Sequence, residues 1–209
     1  MSSKPYILLV GAGGHAMSCI DNIEAQDIYQ IRGLVGTQTE IGQSHLGYPV
    51  IASDDMLEKL RHDCVYALVC VGQIKSAAIR IRLFNALLAI GYELPTIQSP
   101  YARVSSHAQI GRGTIVMHGA TVNAGAVIGE NCIINSHALI EHGVKIESHC
   151  HIATGARING DATIGSESFI GSGAIVREGI RIGHSCLVAM GEVLHADLHD
   201  GLIVKKVRS

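Results

Sequence analysis

Histidines crowd the second half of the chain, among them His107, His118, His137, His142, His149, His151 and His184. Imidazole trades a proton near neutral pH and is also the commonest metal ligand, so two chemistries are open to such a set. The His149-x-His151 spacing could form a metal pair, but no carboxylate or cysteine facing the same way accompanies it, and no metal is expected. The six cysteines include no CxxC pair, which argues against a zinc knuckle or a thioredoxin-type redox site. Near the start, Gly11-Ala-Gly-Gly-His15 follows an apolar run, Tyr6–Val10. Such a turn aims backbone N–H groups and a helix N-terminus at a phosphate. It falls short of the full G-x-G-x-x-G, and Gly36-Thr37 stands where a ribose-binding acid would end the second strand. The turn therefore reads against NAD and for a nucleotide-sugar diphosphate, with a purely geometric glycine turn as the plainer reading.

The elements that must hold these residues follow from a repeat. From Val104, every sixth residue to Leu194 is aliphatic, sixteen positions without an insertion. A period of six does not fit an α-helix. It describes a short strand and a corner, three of which close one triangular coil, so a little over five coils are expected. Four residues after most of these aliphatics comes a small side chain, such as Ala120, Ala126 and Ala138, and the residue just after the aliphatic is often Gly or Asn, as at Gly111, Asn123 and Gly129. In this register Cys132, Cys150, Ser168 and Cys186 share one inward column, so the three cysteines read as core. His142 falls on an outward corner, stacked between Ala124 and Gly160, which leave room for a ligand beside its ring. His151, next to Ile152, points outward from a flat face.

Residues 1–100 lack the repeat. Strands are predicted at Tyr6–Val10, Ile31–Val35, Tyr48–Ile51, Tyr66–Val71 and near Leu94–Ile97. Helices are predicted after the glycine turn to about Ala25, at Asp54–Arg61 with Ser53 as N-cap, and at Ser76–Ile90. Alternation of this kind predicts a small parallel sheet of Rossmann type. The expected architecture is thus an α/β Rossmann-like domain over 1–100, followed by an all-β left-handed parallel β-helix over 101–209.

A net charge of −2, 4% aromatics and no Trp offer neither a basic field nor stacking platforms for nucleic acid. No apolar run approaches the roughly 20 residues of a membrane span, and the opening residues lack a signal-peptide pattern. A soluble cytoplasmic protein is expected.

The glycine turn, the short α/β domain and the hexapeptide repeat containing Ile140-Glu-His142-Gly together resemble one family. It is that of the sialic acid O-acetyltransferases and the bacillosamine or perosamine N-acetyltransferases. The likeness spans essentially the whole chain, including Val71-Gly72 to Phe84, Asn135 to His142, Ile152 to Ala156 and Asn159-Gly-Asp161. It implies acetyl-CoA as co-substrate, His142 as general base in a direct transfer, Asn135 close by and Glu141 beside it in an open role. It also implies coenzyme contacts at His151, Gly160, Gly173 and Gly191, and a nucleotide sugar held by Gly13, Gly14, His15 and Gly72. A homotrimer with active sites at subunit seams is implied as well.

Three departures stand out. Gly143 replaces a carboxylate that several N-acetyltransferases carry after the histidine, a form closer to the sialic acid branch. Val35-Gly36-Thr37 replaces an acidic pair, and Leu202 to Arg208 replaces a Gly-x-Pro-Ala segment. The expected reaction is N-acetylation of a nucleotide-linked aminosugar of surface-glycan biosynthesis, with O-acetylation of a sialic acid as the alternative. Outside that class stand a hydratase resembling γ-carbonic anhydrase and a non-catalytic β-helix scaffold.

Overall fold

The computed structural model describes residues 4–205, which fall into two compact units. The first runs to Gly72 and takes in Ala78–Ile97; the second comprises Gln73–Ala77 and the chain from Gln98 onward.

In the first unit β1 (Tyr6–Val10) is followed by α1 (Gly14–Gln26), β2 (Gln30–Gly36), β3 (Ser44–His45) and β4 (Tyr48–Ser53). Then come a short 3-10 turn, α2 (Leu57–Leu60), β5 (Tyr66–Val69) and α3 (Ala78–Ile90). The sheet order is β3-β4-β2-β1-β5, parallel apart from the β3–β4 hairpin. Ile7, Leu8, Leu9 and Val10 are all fully buried, as expected of a central parallel strand covered on both faces. The chain steps from β1 through β2 to β4 on one side and then crosses to β5 on the other. This reversal opens a crevice at the carboxyl ends of the strands.

Three expectations change here. Leu94–Ile97 forms no strand in this sheet; Glu93 alone bridges to Tyr66. Ser53 does not cap a helix, because its hydroxyl lies between Gln38 Oε1 and Asp55 Oδ1, and a 3-10 turn follows it. The β3–β4 hairpin was not expected, its two-residue strand being too short for a periodic signal.

The second unit is the β-helix. Its two-residue strands stack into faces of six, five and seven strands, all parallel. In each strand from Arg103–Val104 to Val193–Leu194 the second residue is the repeating aliphatic, and Val122, Ile140, Ile158 and Val176 stack along the inside of the six-stranded face with no exposure. Corner backbones are pinned coil to coil: Glu141 N–H donates to Ile158 O at 3.0 Å and Gly143 N–H to Ala124 O at 3.2 Å.

The inward column at another corner runs Thr114, Cys132, Cys150, Ser168 and Cys186, and each is buried. Thr114 and Ser168 donate their hydroxyls to Gly129 O and Gly183 O, both at 2.8 Å, and accept Cys132 N–H and Cys186 N–H, both at 2.9 Å. The thiols of Cys132, Cys150 and Cys186 reach the corresponding carbonyls at 3.1–3.2 Å. The cysteines are core residues, as read from the register, and burial pushes the Cys150 thiol well above its usual range.

The regular repeat ends at Leu194. Leu198 bridges to Ile182 and Val204 pairs with Val188, so the last turn is two residues shorter than the others. Of the departing C-terminal segment, Leu202 to Lys205 are described, and the rest lies outside the described residues.

Candidate active site

His142 stands exposed on the corner that joins the six-stranded face to the five-stranded one. Its imidazole lies over Gly160 of the next coil: a Cβ at Gly160 would meet His142 Cε1 at 2.7 Å and Nε2 at 2.8 Å. The space foreseen beside the ring is thus what the ring itself uses. Glu141 turns away from the imidazole, its Oε2 accepting Asn123 Nδ2 at 3.0 Å and His142 N–H at 3.4 Å. Its carboxylate braces the corner backbone.

Gly143 holds its own surprise. A Cβ there would come 2.1 Å from Asp161 Oδ1, so the carboxylate from one coil on fills the volume a side chain at 143 would take. The corner beside His142 is therefore acidic although its own sequence ends in glycine. The period of the repeat, which stacks 161 on 143, was the signal that could have found it.

Asn135 and His151 come together elsewhere. Asn135 lies on the corner between the seven-stranded and six-stranded faces, a whole face away from His142. His151 Nδ1 donates to Gln73 O at 2.7 Å, which leaves Nε2 as an acceptor for Asn135 Nδ2 at 3.1 Å. Asn135 Oδ1 in turn accepts Ser136 N–H at 2.7 Å. His151 points outward, as expected, yet it is only 7% exposed because Gln73 covers it. Gln73 is fixed a second time by Glu167 O at 3.0 Å. His149 faces a different partner, Asn131 Nδ2 at 3.1 Å.

Gly173 and Gly191 line up with Gly155 on successive coils of the corner that carries Asn135. All three have left-handed backbones, φ 66° to 71°, and a Cβ on any of them would stand in open space. Gly160, by contrast, belongs to the His142 corner.

The first unit supplies a cavity of about 570 Å³ at the strand carboxyl ends, lined among others by Gly11, Gly13, Thr37, Glu40, Asp54 and Arg82. Gly11 has φ +122°, and a Cβ there would meet Val71 Cγ2 at 2.7 Å, so only glycine lets the turn pass. Gly13 is the N-cap of α1, and Gly14 and His15 open the helix with their N–H groups toward its end. Gly72 packs beside His15, its Cβ position 3.5 Å from His15 Cβ, so all four expected residues gather at one turn. Beneath it Cys19 and Cys70 are fully buried. The hydrogen bond from Cys70, then the charges of His15 and Arg80, hold the Cys19 thiol below its usual range, while burial pushes Cys70 well above it.

The residues missed by sequence reading are those across the cavity. Arg82 Nη2 pairs with Asp54 Oδ2 at 3.1 Å. Glu40 Oε2 accepts both the N–H and the hydroxyl of Thr37, each at 2.7 Å, and these bonds hold its carboxyl below the usual range.

Comparison with known proteins agrees with both units. The profile of the PglD N-terminal domain matches residues 6–87. Those of the bacterial transferase hexapeptide (six repeats) match 107–142 and 125–160, and that of the hexapeptide repeat of succinyl-transferase matches 162–196. The acetyltransferase domain of PglB from Neisseria gonorrhoeae FA1090, solved with acetyl coenzyme A, is 31% identical over 96% of each chain, with a TM-score of 0.88. The chain belongs to this family of hexapeptide-repeat sugar acetyltransferases.

Perosamine N-acetyltransferase from Caulobacter crescentus, solved as a histidine-to-asparagine mutant with CoA and GDP-perosamine, is 28% identical over 96% of this chain and 93% of its own. Its TM-score is 0.90. WeeI from Acinetobacter baumannii AYE, at 21% identity, 95% coverage of each chain and a TM-score of 0.83, shares the fold. No curated protein sequence matches the chain. As a member of the family it is an acyltransferase with a left-handed β-helix. Among the described residues no helix is long and apolar enough to cross a membrane.

Proposed function

We propose that this acetyltransferase moves the acetyl group of acetyl-CoA to the amine of a nucleotide-linked aminosugar, with His142 as the base. The observation that carries the reading is the exposed His142 imidazole on an acidic corner, cleared by Gly160, in a chain whose other unit offers a phosphate-type turn and a cavity. Solved relatives bound to acetyl coenzyme A, and to CoA with GDP-perosamine, support the two ligands.

His142 takes a proton from the amine, whose nitrogen attacks the thioester carbonyl. Backbone N–H groups at a corner suit the oxyanion, and collapse of the intermediate releases CoA as its thiolate, which takes up a proton. The bare backbone along Gly155, Gly173 and Gly191 suits the pantetheine arm, since any side chain would fill that open stripe. His142 and the Asn135 corner lie a face apart in one chain, which favours a site completed by a second chain and hence a homotrimer. A cytoplasmic location accords with both small-molecule substrates.

Thiol release from acetyl-CoA, offered nucleotide-linked 4-aminosugars and sialic acids in parallel, is the direct test. Turnover with an aminosugar is expected. Turnover with a sialic acid alone would replace the proposed reaction by O-acetylation. The His142→Ala variant should lose roughly 10²–10⁴-fold in turnover while keeping its oligomeric state, the usual worth of a general base. Near-normal turnover would remove His142 from that role.

A further inference from the structure

The cavity of the first unit contains a carboxylate where the strand order would place one and the sequence shows none. β2 ends at Gly36, and the following turn brings Glu40 back to it: Glu40 N–H donates to Thr37 O at 3.0 Å, closing the turn. Its Oε2 is then anchored twice by Thr37, each bond 2.7 Å. A Cβ on Gly36 would lie 2.8 Å from that oxygen, so glycine is what allows the carboxylate to rest against the strand end. Oε1 takes no hydrogen bond among the described residues, and Glu40 lines the cavity. The other acids there are engaged, Asp54 by Arg82 and Asp55 by the Ser53 hydroxyl.

A ligand that spans this cavity must meet two opposite demands. At the Gly11–Gly13 turn the opening N–H groups of α1 favour an anion. At the end of β2 the anchored Glu40 carboxylate, which no cation pairs with among the described residues, disfavours phosphate, and its vacant oxygen takes an O–H donor. A nucleoside diphosphate satisfies both, with phosphates at the turn and ribose at the strand end, where doubly wound folds bind ribose hydroxyls through an acid. We propose that Glu40 receives the ribose 2′-hydroxyl of the substrate's nucleotide and so makes this acetyltransferase prefer ribonucleotide-linked over 2′-deoxyribonucleotide-linked sugars. The inference rests on the nucleotide-sugar reading of the cavity.

Calorimetric titration of the full-length protein with uridine and guanosine 5′-diphosphates and their 2′-deoxy counterparts tests it. The preferred base should bind roughly tenfold or more tightly in its ribo form, the worth of one hydrogen bond to a charged group. Glu40→Gln should weaken the ribonucleotide to the level of the deoxynucleotide and leave the latter unchanged. Gly36→Ala, which pushes the carboxylate off the strand end, should do the same with Glu40 intact. Thermal unfolding of each variant without ligand checks that the fold survives. Equal affinity of the unaltered protein for ribo and deoxy forms would overturn the inference, as would equal weakening of both by Glu40→Gln. If neither base binds in any form, the nucleotide reading itself fails and the inference falls with it.

Discussion

At Gly160 a hydrogen atom in place of a methyl group decides where an imidazole can lie. The residue has no left-handed backbone to explain its glycine; the contact with His142 does so instead. Gly160→Ala should therefore leave the fold nearly as stable as before but displace the base. A reacting group moved by about 1 Å commonly costs on the order of 10²-fold, so kcat should fall by roughly that factor while the unfolding midpoint hardly moves. Steady-state kinetics beside a thermal melt would check both halves, and unchanged kcat would show that the ring reaches its working position by another path. Gly143 differs, because its left-handed backbone (φ +68°) calls for glycine in its own right, and a side chain there would displace Asp161 as well.

Within an element, the repeat sets both shape and hydrogen bonding. The column from Thr114 to Cys186 gives each coil a side-chain donor to a carbonyl of the next, with hydroxyls accepting an N–H as well. Ser168→Ala would strand Gly183 O and Cys186 N–H in the core, at a cost of about 1–3 kcal/mol. Ser168→Cys should cost clearly less, because Cys132 and Cys150 make the same contact in their own coils. Denaturant unfolding of the two variants separates these outcomes; equal losses would mean that volume, not the hydrogen bond, dominates this column.

For the whole molecule the question is how corners a face apart serve one reaction. If a second chain completes each site, His142→Ala and Asn135→Ala trimers should each be slow, yet mixing them should restore activity. Random assembly leaves about a quarter of seams with both residues intact, so recovery toward that fraction is expected after the two proteins are unfolded and refolded together. No recovery, with mixed trimers present by mass, would place the complete site inside one chain.

The repeat, and with it the β-helix, was legible in the sequence because a solenoid's contacts are nearest-neighbour and periodic: a residue's partner is found by counting. The inward cysteines, the outward corner of His142 and its glycine neighbour all follow from that count, whereas the glycine turn that opens α1 was legible from its own residues after an apolar strand. What the count could not supply was direction. Glu141 points back to Asn123 instead of to the imidazole, and His151 lies under Gln73, a residue distant in sequence. In the α/β unit no period links strand ends to the turns that fold over them. The apparently missing acid was therefore decided only by the tertiary structure, where two bonds from Thr37 outweigh the freedom of a half-buried Glu40 side chain and hold its carboxylate against Gly36.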